Sequence, residues 1–134
     1  MARILIVDDD VDLLAGQREF LQAKGYEVLT AGTIEDGLKT AGESTPDLVI
    51  ADLMMEHYDS GFVFCKKLRD LPGLSKVPIL MQTAAPRKVG FTFDAGATPG
   101  REWMKADEVL TKPVPLEDLV GKIEQHLAGS ARHG

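Results

Sequence analysis

The sequence predicts an α/β fold, a parallel sheet covered by helices on both faces. Two observations predict it. Short apolar runs alternate with longer segments of helical periodicity, the pattern of successive βαβ units. The short runs are apolar throughout instead of alternating with polar residues, as expected of strands buried on both sides. At 134 residues the chain is long enough for one domain with a single core.

The elements follow in order. Ile4–Val7 is the first buried-strand run. From Val11 to Lys24 the residues Val11, Leu14, Leu21 and Leu13, Phe20 recur at helical spacing, and Gly25 marks the stop. Tyr26–Ala31 is a second strand. Thr33–Glu43 is predicted helical with Thr33 as its cap, although Gly37 weakens it. Asp47–Asp52, "DLVIAD", is a third strand entered through a turn at Pro46. Phe62–Leu71 carries a helical stripe of Phe62, Cys65 and Leu68, and "VPILMQT", Val77–Thr83, is a fourth strand. Val109–Leu110 falls in a short fifth, and Leu116–Leu127 forms a final amphipathic helix. The expected organisation is one domain over 1–128 and a loose tail over 129–134, with no repeat and no linker.

Composition excludes several classes. Hydrophobic residues at 44% and charged residues at 27% are globular values. A net charge of −6 argues against nucleic acid and against anionic membrane surfaces as partners. No apolar run is long enough to span a bilayer. The chain enters a strand at once, leaving no room for a signal peptide, so a cytoplasmic protein is expected. Cys65 stands alone, so no internal disulfide forms, and its place on an apolar stripe predicts core packing. His57, His126 and His133 lack metal-ligand spacing. No GxGxxG or P-loop is present.

In parallel α/β sheets ligands bind outside the carboxyl ends of the strands. Those ends are occupied by a specific set. The first strand runs into "DDD", with Asp8 and Asp9 at its end; the third ends at Asp52, the fourth at Thr83 and the fifth at Lys112. Three carboxylates, one hydroxyl and one ammonium therefore converge on one rim. Carboxylates that close repel one another unless a cation neutralises them, and oxygen ligands suit a hard divalent ion such as Mg²⁺. With the charge balanced, one carboxylate can stay ionised and attack, while Lys112 and the metal hold the oxygens of a transferring phosphoryl group. Any one of these residues alone would be an ordinary turn or surface residue; the constellation carries the argument.

With "ILIVDDD", "PDLVIADLMM", "ILMQTA" and "VLTKPV" at the four strand ends, the chain resembles the receiver domain of bacterial two-component response regulators, from about Ala2 to about Leu127. The resemblance implies a flavodoxin-like, CheY-like five-stranded sheet of order 2-1-3-4-5. It implies that Asp52 accepts a phosphoryl group from a histidine kinase or phosphotransfer protein. Asp9 would bind Mg²⁺ directly and Asp8 largely through water, with Asp52 and the Met54 carbonyl completing the set. Lys112, ahead of a cis bond to Pro113, would pair with the phosphate, and Thr83 would move its hydroxyl onto it. Asp10 has no ligand role in the pattern and is expected to start the first helix.

The sequence departs from the family at three places. Glu56 stands where proline is usual, with one extra residue before Gly61. Val109 occupies the position, three before Lys112, that usually carries the switching aromatic ring. The segment Ala84–Asp107 is long and rich in glycine, with Gly90, Gly96, Gly100 and Pro99, which predicts a shortened or displaced fourth helix and a loop bearing Phe91, Phe93 and Trp103.

The leading expectation is a stand-alone receiver that signals to a downstream protein target or relays its phosphoryl group, since no output domain follows the last helix. It assists its own phosphorylation and is not an enzyme with an external substrate. A pseudo-receiver that keeps the fold without the chemistry is one alternative. A haloacid-dehalogenase-type phosphatase using Asp8 of the Asp8-x-Asp10 motif is another, although Asp12 stands where that family needs Thr or Val and no late acidic pair is present.

Overall fold

The structure, a computed structural model, describes residues 2–52, 60–83, 108–111 and 114–133; the side chains of 60–62, 83, 111 and 129–133 are outside that description. Within it the chain runs β1 (Arg3–Val7), α1 (Val11–Ala23), β2 (Glu27–Ala31), α2 (Ile34–Ser44), β3 (Leu48–Asp52), α3 (Ser60–Arg69), β4 (Ile79–Thr83), β5 (Glu108–Thr111) and a last helix, Leu116–His133. The five strands are all parallel, in the order β2-β1-β3-β4-β5. The expected α/β architecture and strand order are therefore present. The remodelled fourth helix expected within 84–107 lies outside the described residues.

Strand alternation sorts the core into two layers. Leu5, Val7, Val49, Ala51, Ile79 and Met81 face α2 and α3, where they meet Ala41, Phe64, Cys65 and Leu68. Ile4, Ile6, Leu48, Ile50 and Leu80 face α1 and the last helix, where they meet Leu21, Leu119 and Ile123. All of β1 beyond Arg3 and all of β3 are buried, which is why both read as unbroken apolar runs. Each large side chain so enclosed contributes about 1.5–3 kcal/mol.

Helix starts match their chemistry. The Asp10 side chain accepts from the N–H groups of Asp12 and Leu13, both at 3.1 Å, and caps α1. Thr33 caps α2 by accepting from Asp36 N–H at 3.0 Å. Gly37, which weakens α2 on propensity, has a packing reason: a Cβ there would lie 2.8 Å from Val7 Cγ2 and 3.2 Å from Phe64 Cε1. The glycine lets α2 lie close on the sheet. β4 begins at Ile79, two residues later than the apolar run, because Pro78 has no N–H for the ladder. The last helix continues to His133, so residues 129–133, expected as a tail, are helical in backbone. Cys65 is fully buried, with its Sγ 3.7 Å from Met81 Sδ.

Candidate metal and phosphoacceptor site

β1 ends at Val7 beside β3, paired there with Ala51, so the residues that follow the two strands emerge together at one edge. Asp8 continues the β1–β2 ladder by donating its N–H to Ala31 O at 3.0 Å. Its carboxylate, 1% exposed, accepts from the Asp10 N–H at 2.9 Å through Oδ1. Asp52 is the last residue of β3 and 8% exposed, while Asp9 is open to solvent. One carboxylate oxygen from each of Asp8, Asp9 and Asp52 lies within 4.8 Å of the others, and among the described residues this is the one group of three such ligands.

Three negative charges at that spacing do not persist without compensation. At an effective dielectric of about 20, two unit charges at such a separation repel by roughly 3 kcal/mol, less where water screens Asp9. A hard divalent cation offsets this. Three carboxylate oxygens already within 4.8 Å of one another could turn toward one such ion. The donor set, all carboxylate oxygen, fits Mg²⁺ and offers nothing to a thiophilic metal.

Thr83 ends β4 and pairs in register with Thr111, the end of β5, at the same edge of the sheet. The Thr83 side chain, Lys112 and Met54 lie outside the described residues, as do Glu56, His57, Pro113 and Trp103. Val109, at the position expected to carry a ring, pairs with Met81 and packs half-buried against the α2/α3 layer. Asp10 caps α1 through Oδ1, a helix-start role that accounts for the third aspartate of the run.

Sequence reasoning missed one feature beside the site. Gln17 of α1 and Gln82 of β4 are buried, at 4% and 1% exposure, and hydrogen-bond each other reciprocally. Gln82 is the register partner of Asp52. Its signal in the sequence was a lone amide inside an apolar strand; its partner is 65 residues away and carried no mark.

A fold of order 2-1-3-4-5 with three acids at the ends of β1 and β3 defines a class, and comparison with known proteins identifies it. The sequence profile of the response regulator receiver domain matches residues 4–124, and the chain belongs to that family. It is 33% identical to the DNA-binding dual master transcriptional regulator RpaA of Synechocystis, over 98% of this chain and 52% of that protein. It is also 33% identical to Protein PilH of Pseudomonas aeruginosa, over 96% of this chain and 100% of PilH. The solved structure of the chemotaxis response regulator CheY4 of Vibrio cholerae superposes with a TM-score of 0.79 at 28% identity, covering 93% of this chain and 98% of that one. The chain spans about half the length of several curated relatives it matches, RpaA among them.

Receiver domains are modules of two-component signalling, generally not catalysts, and interact with kinases and downstream targets. The family binds Mg²⁺ in an acidic pocket, and a cluster of aspartates, Asp8, Asp9 and Asp52, is present in this chain. No helix among the described residues is long and apolar enough to cross a membrane.

Proposed function

We propose that this protein is a Mg²⁺-dependent phosphoacceptor that takes a phosphoryl group from the phosphohistidine of a histidine kinase or phosphotransfer protein onto Asp52. The observation that carries the reading is the meeting of Asp8, Asp9 and Asp52 within 4.8 Å. Asp8, Asp9, Asp52 and the Met54 carbonyl would hold the ion, which would supply neutralisation of charge on the phosphoryl oxygens.

The chain's own residues do the rest. Asp10, through its backbone N–H, fixes the orientation of the Asp8 carboxylate. A carboxylate oxygen of Asp52 attacks phosphorus; the new P–O bond forms as the P–N bond to the donor imidazole breaks, and the released ring nitrogen takes a proton from solvent. Lys112 pairs with the phosphoryl group and Thr83 turns its hydroxyl to it. The added charge biases a surface between two arrangements, and that surface docks a downstream protein or the group passes on through a relay. With Val109 in place of a ring, the surface responds without an aromatic rotation. The reading places the protein in the cytoplasm with its kinase, and residues 1–128 as the working receiver unit.

Incubation with acetyl phosphate and Mg²⁺, followed by intact-mass measurement, tests this. Wild type gains the mass of one phosphoryl group, and Asp52→Asn or wild type in EDTA gains none. An unmodified wild type, or an Asp52→Asn variant modified as readily, contradicts the reading.

A further inference from the structure

The geometry points to Gln17 and Gln82 as positioning residues for phosphoryl transfer at Asp52, an inference that rests on the function proposed above. Gln17 Nε2 donates to Gln82 Oε1 at 3.3 Å, and Gln82 Nε2 donates to Gln17 Oε1 at 3.4 Å, closing a ring of two amides. Both side chains are enclosed by the apolar layer that contains Leu21 and Leu80, with 4% and 1% exposure. Aliphatic side chains would fill that layer with no polar group to satisfy, so packing alone gives no reason for two amides there.

Place supplies the reason. Gln82 stands opposite Asp52 in the β3–β4 pairing and immediately precedes Thr83. Gln17 stands on α1, whose cap residue, Asp10, donates its own backbone N–H to the Asp8 carboxylate. The amide ring therefore joins the two pieces of backbone that carry the reacting edge: the helix behind the acidic loop and the strand next to the phosphoacceptor.

An apolar contact between α1 and β4 would tolerate sliding. A reciprocal amide pair does not, because a small displacement breaks both bonds and leaves two polar groups in a dry layer. Phosphoryl transfer depends mainly on placement, and misplacement of a reacting group by about 1 Å costs rate without changing any reacting atom.

The test uses near-isosteric Gln17→Met, Gln82→Met and the double variant, each assayed with acetyl phosphate and saturating Mg²⁺. Each single variant is expected to lower both the thermal midpoint and the maximal rate of Asp52 phosphorylation, the rate by three- to tenfold, with the half-saturating donor concentration unchanged. The double variant is expected to recover the thermal midpoint and not the rate, because it restores packing without restoring the bonds. A double variant that phosphorylates as fast as wild type, or single variants slowed only in proportion to their unfolded fraction, overturns the positioning role. A wild type that takes no phosphoryl group overturns the Asp52 assignment and this role with it.

Discussion

The Asp8 carboxylate accepts a 2.9 Å hydrogen bond from the backbone N–H of Asp10, the residue that caps α1. One tripeptide thus links the start of the helix to the buried acid. Three consecutive aspartates differ in place: Asp8 is buried, Asp9 is exposed with a carboxylate oxygen in the cluster, and Asp10 caps the helix.

Removing a carboxylate from the cluster should separate stability from metal binding. In EDTA, Asp8→Asn and Asp9→Asn are expected to melt higher than wild type, because each relieves repulsion among groups within 4.8 Å. With Mg²⁺ the order reverses, and calorimetric titration should show at least a tenfold loss of affinity in each variant. Unchanged affinity in both variants would remove them from the site.

Loss of the α1 cap should act on folding alone. Asp10→Ala is expected to cost about 1 kcal/mol, a fall of about 3–5 °C in thermal midpoint, with Asp10→Asn nearly neutral. Mg²⁺ affinity should hold in both, because the N–H that orients Asp8 belongs to the backbone. A tenfold weaker Mg²⁺ affinity in Asp10→Asn would show instead that the Asp10 carboxylate serves the metal.

Gly37→Ala pits helix propensity against packing. Alanine gains up to about 1 kcal/mol of propensity, but its Cβ would come within 2.8 Å of Val7 and 3.2 Å of Phe64. Overpacking of that kind costs about 1–3 kcal/mol, so urea denaturation should show net destabilisation. A stabilised variant would mean that α2 can lift from the sheet without penalty.

Acid should weaken the edge formed by β5 and the last helix. Burial opposes ionisation of Glu108, but hydrogen bonds from Lys122 at 2.7 Å and from His126 Nε2 at 2.9 Å outweigh it and hold the carboxyl below its ordinary value of 4.5. A depressed acid stabilises the fold above its unfolded-state value and loses that contribution as pH falls through the lower folded one. The stability gap between wild type and Glu108→Gln should therefore be present at pH 7 and close below about pH 4.5. The pair is partly exposed, so about 0–1 kcal/mol is expected. A gap that widens as pH falls through this range would give the opposite sign.

Much of this was legible in the sequence, for identifiable reasons. β1 and β3 are buried on both faces, so their composition announces them, and the acids stand out because they follow runs such as "ILIV". Asp10 and Thr33 cap helices through local bonds, two or three residues along the chain, which spacing can reveal. Gly37 was readable only as a weak helix former, because its purpose lies in Val7 and Phe64, distant in sequence. Gln17 and Gln82 were illegible together for the same reason: periodicity marks which face an amide occupies, not which amide it meets.

Asp52 is proposed as the residue modified at the rim it shares with Asp8 and Asp9. The most direct measurement is site mapping: treat the wild-type protein with acetyl phosphate and Mg²⁺, reduce the acyl phosphate with borohydride, digest, and sequence the peptides by mass spectrometry. Homoserine is expected at position 52 alone. Reduction at position 8 or 9, or at no aspartate, would contradict the proposal.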